Sequence, residues 1–144
     1  MILIIITSVI FLDQLTKFLA IRFLQLNTPV SLINNFLYLT LVHNRGAAFG
    51  MFKNQLFMFV LISIFAIVLI FLYLKAKNNS LLSTISLSMI LAGAIGNLID
   101  RLRFGFVIDF LDFRIWPVFN LADSAITIAA IFLTWELLFK KNVT

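Results

Sequence analysis

The sequence predicts an all-α membrane protein with a small β element, built as a four-transmembrane-helix bundle with extended, β-rich loops. Hydrophobic side chains make up 62% of the 144 residues and the mean hydropathy is +1.11, whereas a water-soluble domain is about 45–50% apolar. Four apolar runs approach the ~20 residues that a helix needs to cross a bilayer. We therefore expect residues 1–144 to form a single membrane domain with spans at about 2–24, 55–74, 81–100 and 121–139.

The rest of the composition restricts the possible chemistry. Cysteine is absent and His43 is the only histidine, which excludes a thiol nucleophile, a disulfide framework and a Cys/His zinc site. The formal net charge of +5 is spread thinly beside the apolar runs, which favours contact with lipid headgroups and not with nucleic acid. We expect membrane lipids as partners and neither a metal nor a cofactor. Carboxylates remain as the acid–base groups.

The first apolar run carries Asp13 and Lys17. The two side chains are four residues apart with the acid first, so they share one helix face in the favourable orientation. Two interpretations are open: a self-neutralising pair that lets polar groups lie in lipid, or a brace for a functional site. The first 12 residues carry no basic side chain, so we expect a retained first span and not a cleavable signal peptide.

The connection at 25–55 is long and patterned. Residues 36–42, F-L-Y-L-T-L-V, are typical of a strand, and H-N-R-G follows them. Asn44 can donate and accept hydrogen bonds without carrying charge, and Gly46 permits close backbone approach. An ordinary turn is the alternative for this stretch.

The second long connection lies between the third and fourth apolar runs. Asn97 and Arg101 are four apart, so they share a face where the third helix ends. Residues 104–119 are too punctuated for a helix and suggest extended structure. Asn120 is followed three residues later by Asp123, so helix capping alone is one explanation of both.

Four carboxylates lie between these two apolar runs: Asp100, Asp109, Asp112 and Asp123. Ionisable groups near membrane depth are costly unless they are paired or face water, so this cluster predicts a functional site. A polar outer loop whose acids balance neighbouring arginines is the alternative. A four-helix order with a short second connection places both long connections on one membrane face, where Asn44, Gly46, Asn97, Arg101, Asp109, Asn120 and Asp123 would gather.

Asp109 and Asp123 are the predicted catalytic pair. Two carboxylates within a few Å share a proton, so one can take a proton from water while the other donates to a carbonyl oxygen. This is the chemistry of aspartic peptide hydrolysis. A small four-helix proton-coupled transporter with Asp13 as its coupling site is the competing class, but its polar residues would line a midplane path. A structural subunit without chemistry is a second rival.

Five short segments resemble the lipoprotein signal peptidases, the signal peptidase II family, in the same order along nearly the whole chain. They are D-Q-L-T-K (13–17), N-R-G-A-A-F (44–49), G-N-L-I-D-R (96–101), V-I-D-F (107–110) and F-N-L-A-D (119–123). The resemblance implies an aspartic endopeptidase of the bacterial inner membrane that removes signal peptides from prolipoproteins before a diacylglyceryl-modified cysteine. It also implies cytoplasmic termini, a site near the outer face and inhibition by globomycin-like peptides.

The resemblance also implies roles for individual residues. Asp109 and Asp123 match the catalytic aspartates of the family. Supporting positions are matched by Asn44, Asn97, Arg101 and Asn120, and the first segment contributes Asp13 and Lys17. We expect a monomer, lipidated prolipoproteins as substrates, and a flap at 36–52 whose bend is supplied by Gly46. Counting Lys and Arg gives no orientation, because both faces carry them.

Overall fold

The computed structural model describes residues 1–46, 55–75 and 79–139. Within these ranges the chain forms four helices and three short strands. Their order is α1 (Ile2–Phe23), β1 (Val30–Ile33), β2 (Leu37–Asn44), α2 (Leu56–Lys75), α3 (Leu81–Phe104), β3 (Val107–Asp112) and α4 (Leu121–Phe139). Each helix is long and apolar enough to cross a membrane. The predicted fold class is thereby confirmed.

Helix α3 is the centre of the bundle. It contacts α1, α2 and α4, and it buries small side chains such as Ser88 and Ala92, which let neighbouring helices approach closely. Helix α2 buries none of its residues. Large apolar side chains such as Phe57 and Phe65 are 75% and 66% exposed there, as expected for a surface that faces lipid tails.

Helix α3 continues to Phe104, beyond the predicted end of the third span near residue 100. Gly105 stops it in the left-handed conformation at φ 77°, and its N–H donates to the Arg101 carbonyl at 3.0 Å. Glycine adopts this conformation without the steric cost that a side chain brings. The additional turn carries Arg101 and Arg103 out of the apolar stretch.

The strands form one antiparallel sheet in the order β1-β2-β3. Strands β2 and β3 fall where extended structure is predicted, in 36–42 and 104–119, whereas β1 is not predicted. Strand β2 belongs to the first long connection and β3 to the second. Their pairing therefore places both connections at the same end of the bundle, as expected.

A small apolar core joins this sheet to the end of α1. It consists of Ala20, Leu41, Ile108 and Phe110. Side chains alternate between the two faces of a strand, so Ile108 and Phe110 point into this core and Asp109 points away from it. The core fixes the face of β3 that carries Asp109. Segment 44–49 and the proposed flap at 36–52 extend past residue 46, where they lie outside the described residues.

Candidate active site

Asp109 is placed by the pairing of β2 with β3. Val42 lies opposite Asp109 in the register, and Asn44 is two residues further along β2. The Asn44 side chain donates from Nδ2 to Asp109 Oδ2 at 2.9 Å. Its own Oδ1 accepts from the Gly46 N–H at 2.9 Å. The turn after β2 therefore orients the amide that contacts the aspartate.

Asn120 and Asp123 form a reciprocal cap at the start of α4. The Asp123 N–H donates to Asn120 Oδ1 at 2.9 Å, and the Asn120 N–H donates to Asp123 Oδ2 at 3.3 Å. This geometry is a capping box. Asn120 also donates from Nδ2 to Asp109 Oδ1 at 2.7 Å, so capping does not account for all of its contacts.

Asn97 completes the connections to Asp123 from α3. Its Nδ2 donates to Asp123 Oδ1 at 2.8 Å, and its Oδ1 accepts from Asn120 Nδ2 at 3.0 Å and from Lys17 Nζ at 2.9 Å. All four carboxylate oxygens of Asp109 and Asp123 thus accept one bond from a protein nitrogen. The two carboxylates are held from β2, α3 and the start of α4.

Both carboxylates line a cavity of about 290 Å³ at the sheet end of the bundle. Six of the predicted site residues contribute to its wall: Asn44, Gly46, Asn97, Arg101, Asp109 and Asp123. Asn120 is fully buried and contacts Asp109 from outside this lining. Aromatic side chains complete the wall at Phe59, Trp116 and Phe119.

The electrostatics of the cavity favour a shared proton. Burial raises the pKa of Asp109 from 3.8 to about 7, and the negative charge of Asp123 adds to this effect, while the hydrogen bonds from Asn44 and Asn120 oppose it. The pair of carboxylates therefore holds a proton at a pH at which an ordinary aspartate has lost it. The Arg101 guanidinium lies 5.2 Å from the centre of the Phe59 ring and interacts electrostatically with both aspartates.

Asp13 and Lys17 lie behind the cavity and do not line it. Their side chains are 2.9 Å apart, on one face of α1 as predicted, and both are buried. Lys17 also contacts Asp100 Oδ2 at 2.8 Å. The pair is therefore more than self-neutralising, because it connects α1 to α3.

Asp100 and Gln14 also belong to this group. Asp100 was predicted only as a member of the carboxylate cluster, without a role of its own, and Gln14 was not predicted. Gln14 Nε2 donates to Asp13 Oδ2 at 3.2 Å and to Asp100 Oδ1 at 3.1 Å. One signal was available for Asp100, since it follows Asn97 by three residues and so shares its helix face. No comparable signal was available for Gln14. Among the described residues, no group of three or more His, Asp or Glu side chains is placed to hold a metal ion.

Comparison with known proteins identifies the family. The model of the family described as signal peptidase (SPase) II matches residues 5–139. This chain belongs to the signal peptidase II family. A lipoprotein signal peptidase of Caldanaerobacter subterraneus subsp. tengcongensis is 48% identical over 145 residues, which cover 99% of each chain. The lipoprotein signal peptidase of Clostridioides difficile (strain 630) is 40% identical over 140 residues, or 96% of this chain and 95% of its own.

A solved structure agrees with these matches. A bacterial membrane enzyme superposes on this fold with a TM-score of 0.91 at 31% identity, covering 99% of this chain and 92% of that one. The resemblance seen in the five sequence segments is confirmed. The chain is a multi-pass membrane protease of the signal peptidase II family, and the transporter alternative is excluded.

Proposed function

We propose that this chain is an aspartic endopeptidase that cleaves bacterial prolipoproteins just before the diacylglyceryl-modified cysteine, with Asp109 and Asp123 as its catalytic pair. The observation that carries the proposal is the placement of two carboxylates from different elements in one cavity, with nitrogen donors on all four oxygens. Those donors are amides, which do not act as bases. Proton transfer is thus left to the aspartates.

The pair can perform hydrolysis with one shared proton. The ionised aspartate takes a proton from water as the water oxygen adds to the scissile carbonyl carbon, while the protonated aspartate donates to the carbonyl oxygen. The resulting diol then loses a hydroxyl proton to the second aspartate as the C–N bond breaks. The leaving amine takes the proton that the first aspartate gained from water. Both aspartates return to their starting states.

The remaining polar residues orient the reacting groups. Asn44, Asn97 and Asn120 fix the carboxylate planes, since each donates to a different aspartate oxygen. Arg101 lines the cavity with the pair and orients the scissile carbonyl. These groups are set in place before substrate arrives, so the reaction requires little reorganisation around the developing charge.

The position of the cavity suits a substrate that arrives from the bilayer. Its wall includes Phe59 of α2 and Ile126 of α4, which belong to two helices long enough to span a membrane. A peptide with acyl chains at its cleavage site can therefore keep those chains in lipid while its backbone reaches the aspartates. The apolar wall also limits water near the carboxylates.

The setting that we propose is the bacterial inner membrane, with both termini cytoplasmic and the aspartates near the outer face. Four helices return the chain to the side on which it began, and the sheet lies at the end of α1 away from Ile2. We propose a monomer that contacts membrane lipids and binds globomycin-like inhibitors in the cavity.

Cleavage of a purified lipidated prolipoprotein tests the catalytic pair. Asp109→Asn and Asp123→Asn should each abolish cleavage, because an amide of nearly the same shape cannot transfer the proton. His43→Ala is the matched control. His43 neighbours Asn44 but stacks on Phe106 at 4.0 Å between ring centres, so this variant should retain activity. Enzyme treated with a chelator should also retain activity, because the proposed mechanism uses carboxylates alone. Near-normal turnover of either aspartate variant, or activity that depends on an added metal ion, would refute the mechanism.

A further inference from the structure

The buried charges behind the cavity are more numerous than neutralisation requires. Lys17, Asp13 and Asp100 are at most 1% exposed. Lys17 Nζ contacts Asp13 Oδ2 at 2.9 Å, Asp100 Oδ2 at 2.8 Å and Asn97 Oδ1 at 2.9 Å. One carboxylate would suffice to balance one ammonium. Burying a second carboxylate is unfavourable unless it makes further hydrogen bonds.

Those further bonds go to the backbone beside each catalytic aspartate. Asp13 Oδ1 accepts from the Ala122 N–H at 3.0 Å, and Ala122 directly precedes Asp123. Asp100 Oδ2 accepts from the Ile108 N–H at 3.1 Å, and Ile108 directly precedes Asp109. The two carboxylates that flank Lys17 therefore hold the two backbone segments that carry the catalytic pair.

We propose that Asp100 and Asp13, joined by Lys17, are positioning residues that set the separation between the two catalytic carboxylates. This inference rests on the proposed function of Asp109 and Asp123. Strand β3 carries Asp109 and helix α4 carries Asp123. Both elements are hydrogen-bonded to one buried ion group, which consists of Asp13, Lys17 and Asp100. Asp13 and Lys17 lie one turn apart on α1, so the rigid helix fixes the distance between these two members of the ion group.

Two neighbouring residues keep the group in a fixed arrangement. Gln14 Nε2 donates to both carboxylates and also to the Gly96 carbonyl at 3.3 Å. Gly96 leaves the room that the group needs, because a Cβ at this position would lie 2.5 Å from Asp13 Oδ2. The carboxylates are thus confined from α1 and α3 together.

Asp100→Asn is the test. Asp100 accepts from Gln14 on Oδ1 and from Lys17 and Ile108 on Oδ2, so an amide nitrogen on either side would face a donor. Loss of the anchor before Asp109 should lower kcat by about 10- to 100-fold, as small misplacements of catalytic groups do. KM should stay within about threefold, since the cavity that binds the peptide does not include Asp100.

Asp112→Asn is the matched control, on the strand β3 that carries Asp109. Asp112 is also buried, but it accepts from Thr40 Oγ1 at 2.7 Å and from the Arg114 N–H at 2.8 Å, away from the ion group. The control should keep both kcat and KM. If Asp100→Asn does not fold, Gln14→Met removes one bridge without a change in charge and should lower kcat alone.

The outcomes distinguish this inference from the proposed function. Normal kcat in Asp100→Asn, or in Gln14→Met if that variant has to be used, overturns the positioning role. An equal loss in Asp112→Asn overturns it as well, because the effect would then be a general response to a lost buried carboxylate. If Asp109→Asn or Asp123→Asn stays active, the proposed function itself fails. If these two are inactive while Asp100→Asn is normal, only the positioning role fails.

Discussion

Asn120 uses different atoms for two tasks, and Asn120→Ser separates them. Its Oδ1 caps α4 by accepting from the Asp123 N–H, and its Nδ2 donates to Asp109 Oδ1 at 2.7 Å. Serine is about as good an N-cap as asparagine, but its short hydroxyl cannot also supply the amide donor. Asn120→Ser should therefore keep the cap and lose the contact with Asp109.

The magnitude follows from the lost hydrogen bond. A donor on an ionised carboxylate favours the charged form, so its removal raises the pKa of Asp109 further above about 7. A hydrogen bond to a charged group contributes about 1.5–3 kcal/mol, and one pKa unit corresponds to about 1.4 kcal/mol. The pKa for loss of the shared proton should rise by about 1–2 units. Because this titration belongs to the pair, it is measured as the alkaline limb of the pH–rate profile.

The assay is the pH dependence of kcat for cleavage of a lipidated peptide by the wild type, Asn120→Ser and Asn120→Ala. Both variants should show the alkaline limb displaced upward. Asn120→Ala should also unfold at a temperature lower by about 2–4 °C, since a lost cap costs about 1 kcal/mol. An alkaline limb that stays at the wild-type pH in Asn120→Ser would refute the role assigned to Nδ2. Equal melting losses in both variants would refute the separation of the two tasks.

Two further predictions concern the turn after β2 and the membrane orientation. Gly46→Val should slow turnover by about 10-fold or more with little loss of stability, because the added side chain fills the cavity wall beside Asn44; unchanged kcat would limit Gly46 to a passive role. A reporter inserted in the turn at 34–35 should read external and one fused after Thr144 cytoplasmic; the reverse pattern would place the aspartates in the wrong compartment.

Local sequence was sufficient for the helices and for two of the strands. Long apolar runs require helices because backbone polar groups in lipid must be satisfied within the segment, and α4 (Leu121–Phe139) agrees with its predicted bounds. Strand β1 was missed because its four residues, V-S-L-I, are too few to establish a period of two. Helix α3 runs past its predicted end because the charged residues Asp100, Arg101 and Arg103 do not end it. The helix ends only at Gly105.

The sequence by itself narrowed the possible chemistry of this protein: without cysteine and with a single histidine, it predicted that carboxylates carry the acid–base work. Five short segments, among them those around Asp109 and Asp123, predicted the family that the comparisons confirm. Only the tertiary structure decided how those aspartates are held. Gln14 and Asp100 are 86 residues apart and meet because α1 packs on α3. Periodicity describes one element at a time, whereas a contact between elements depends on their packing, and so the ion group that anchors the site became visible only in the folded chain.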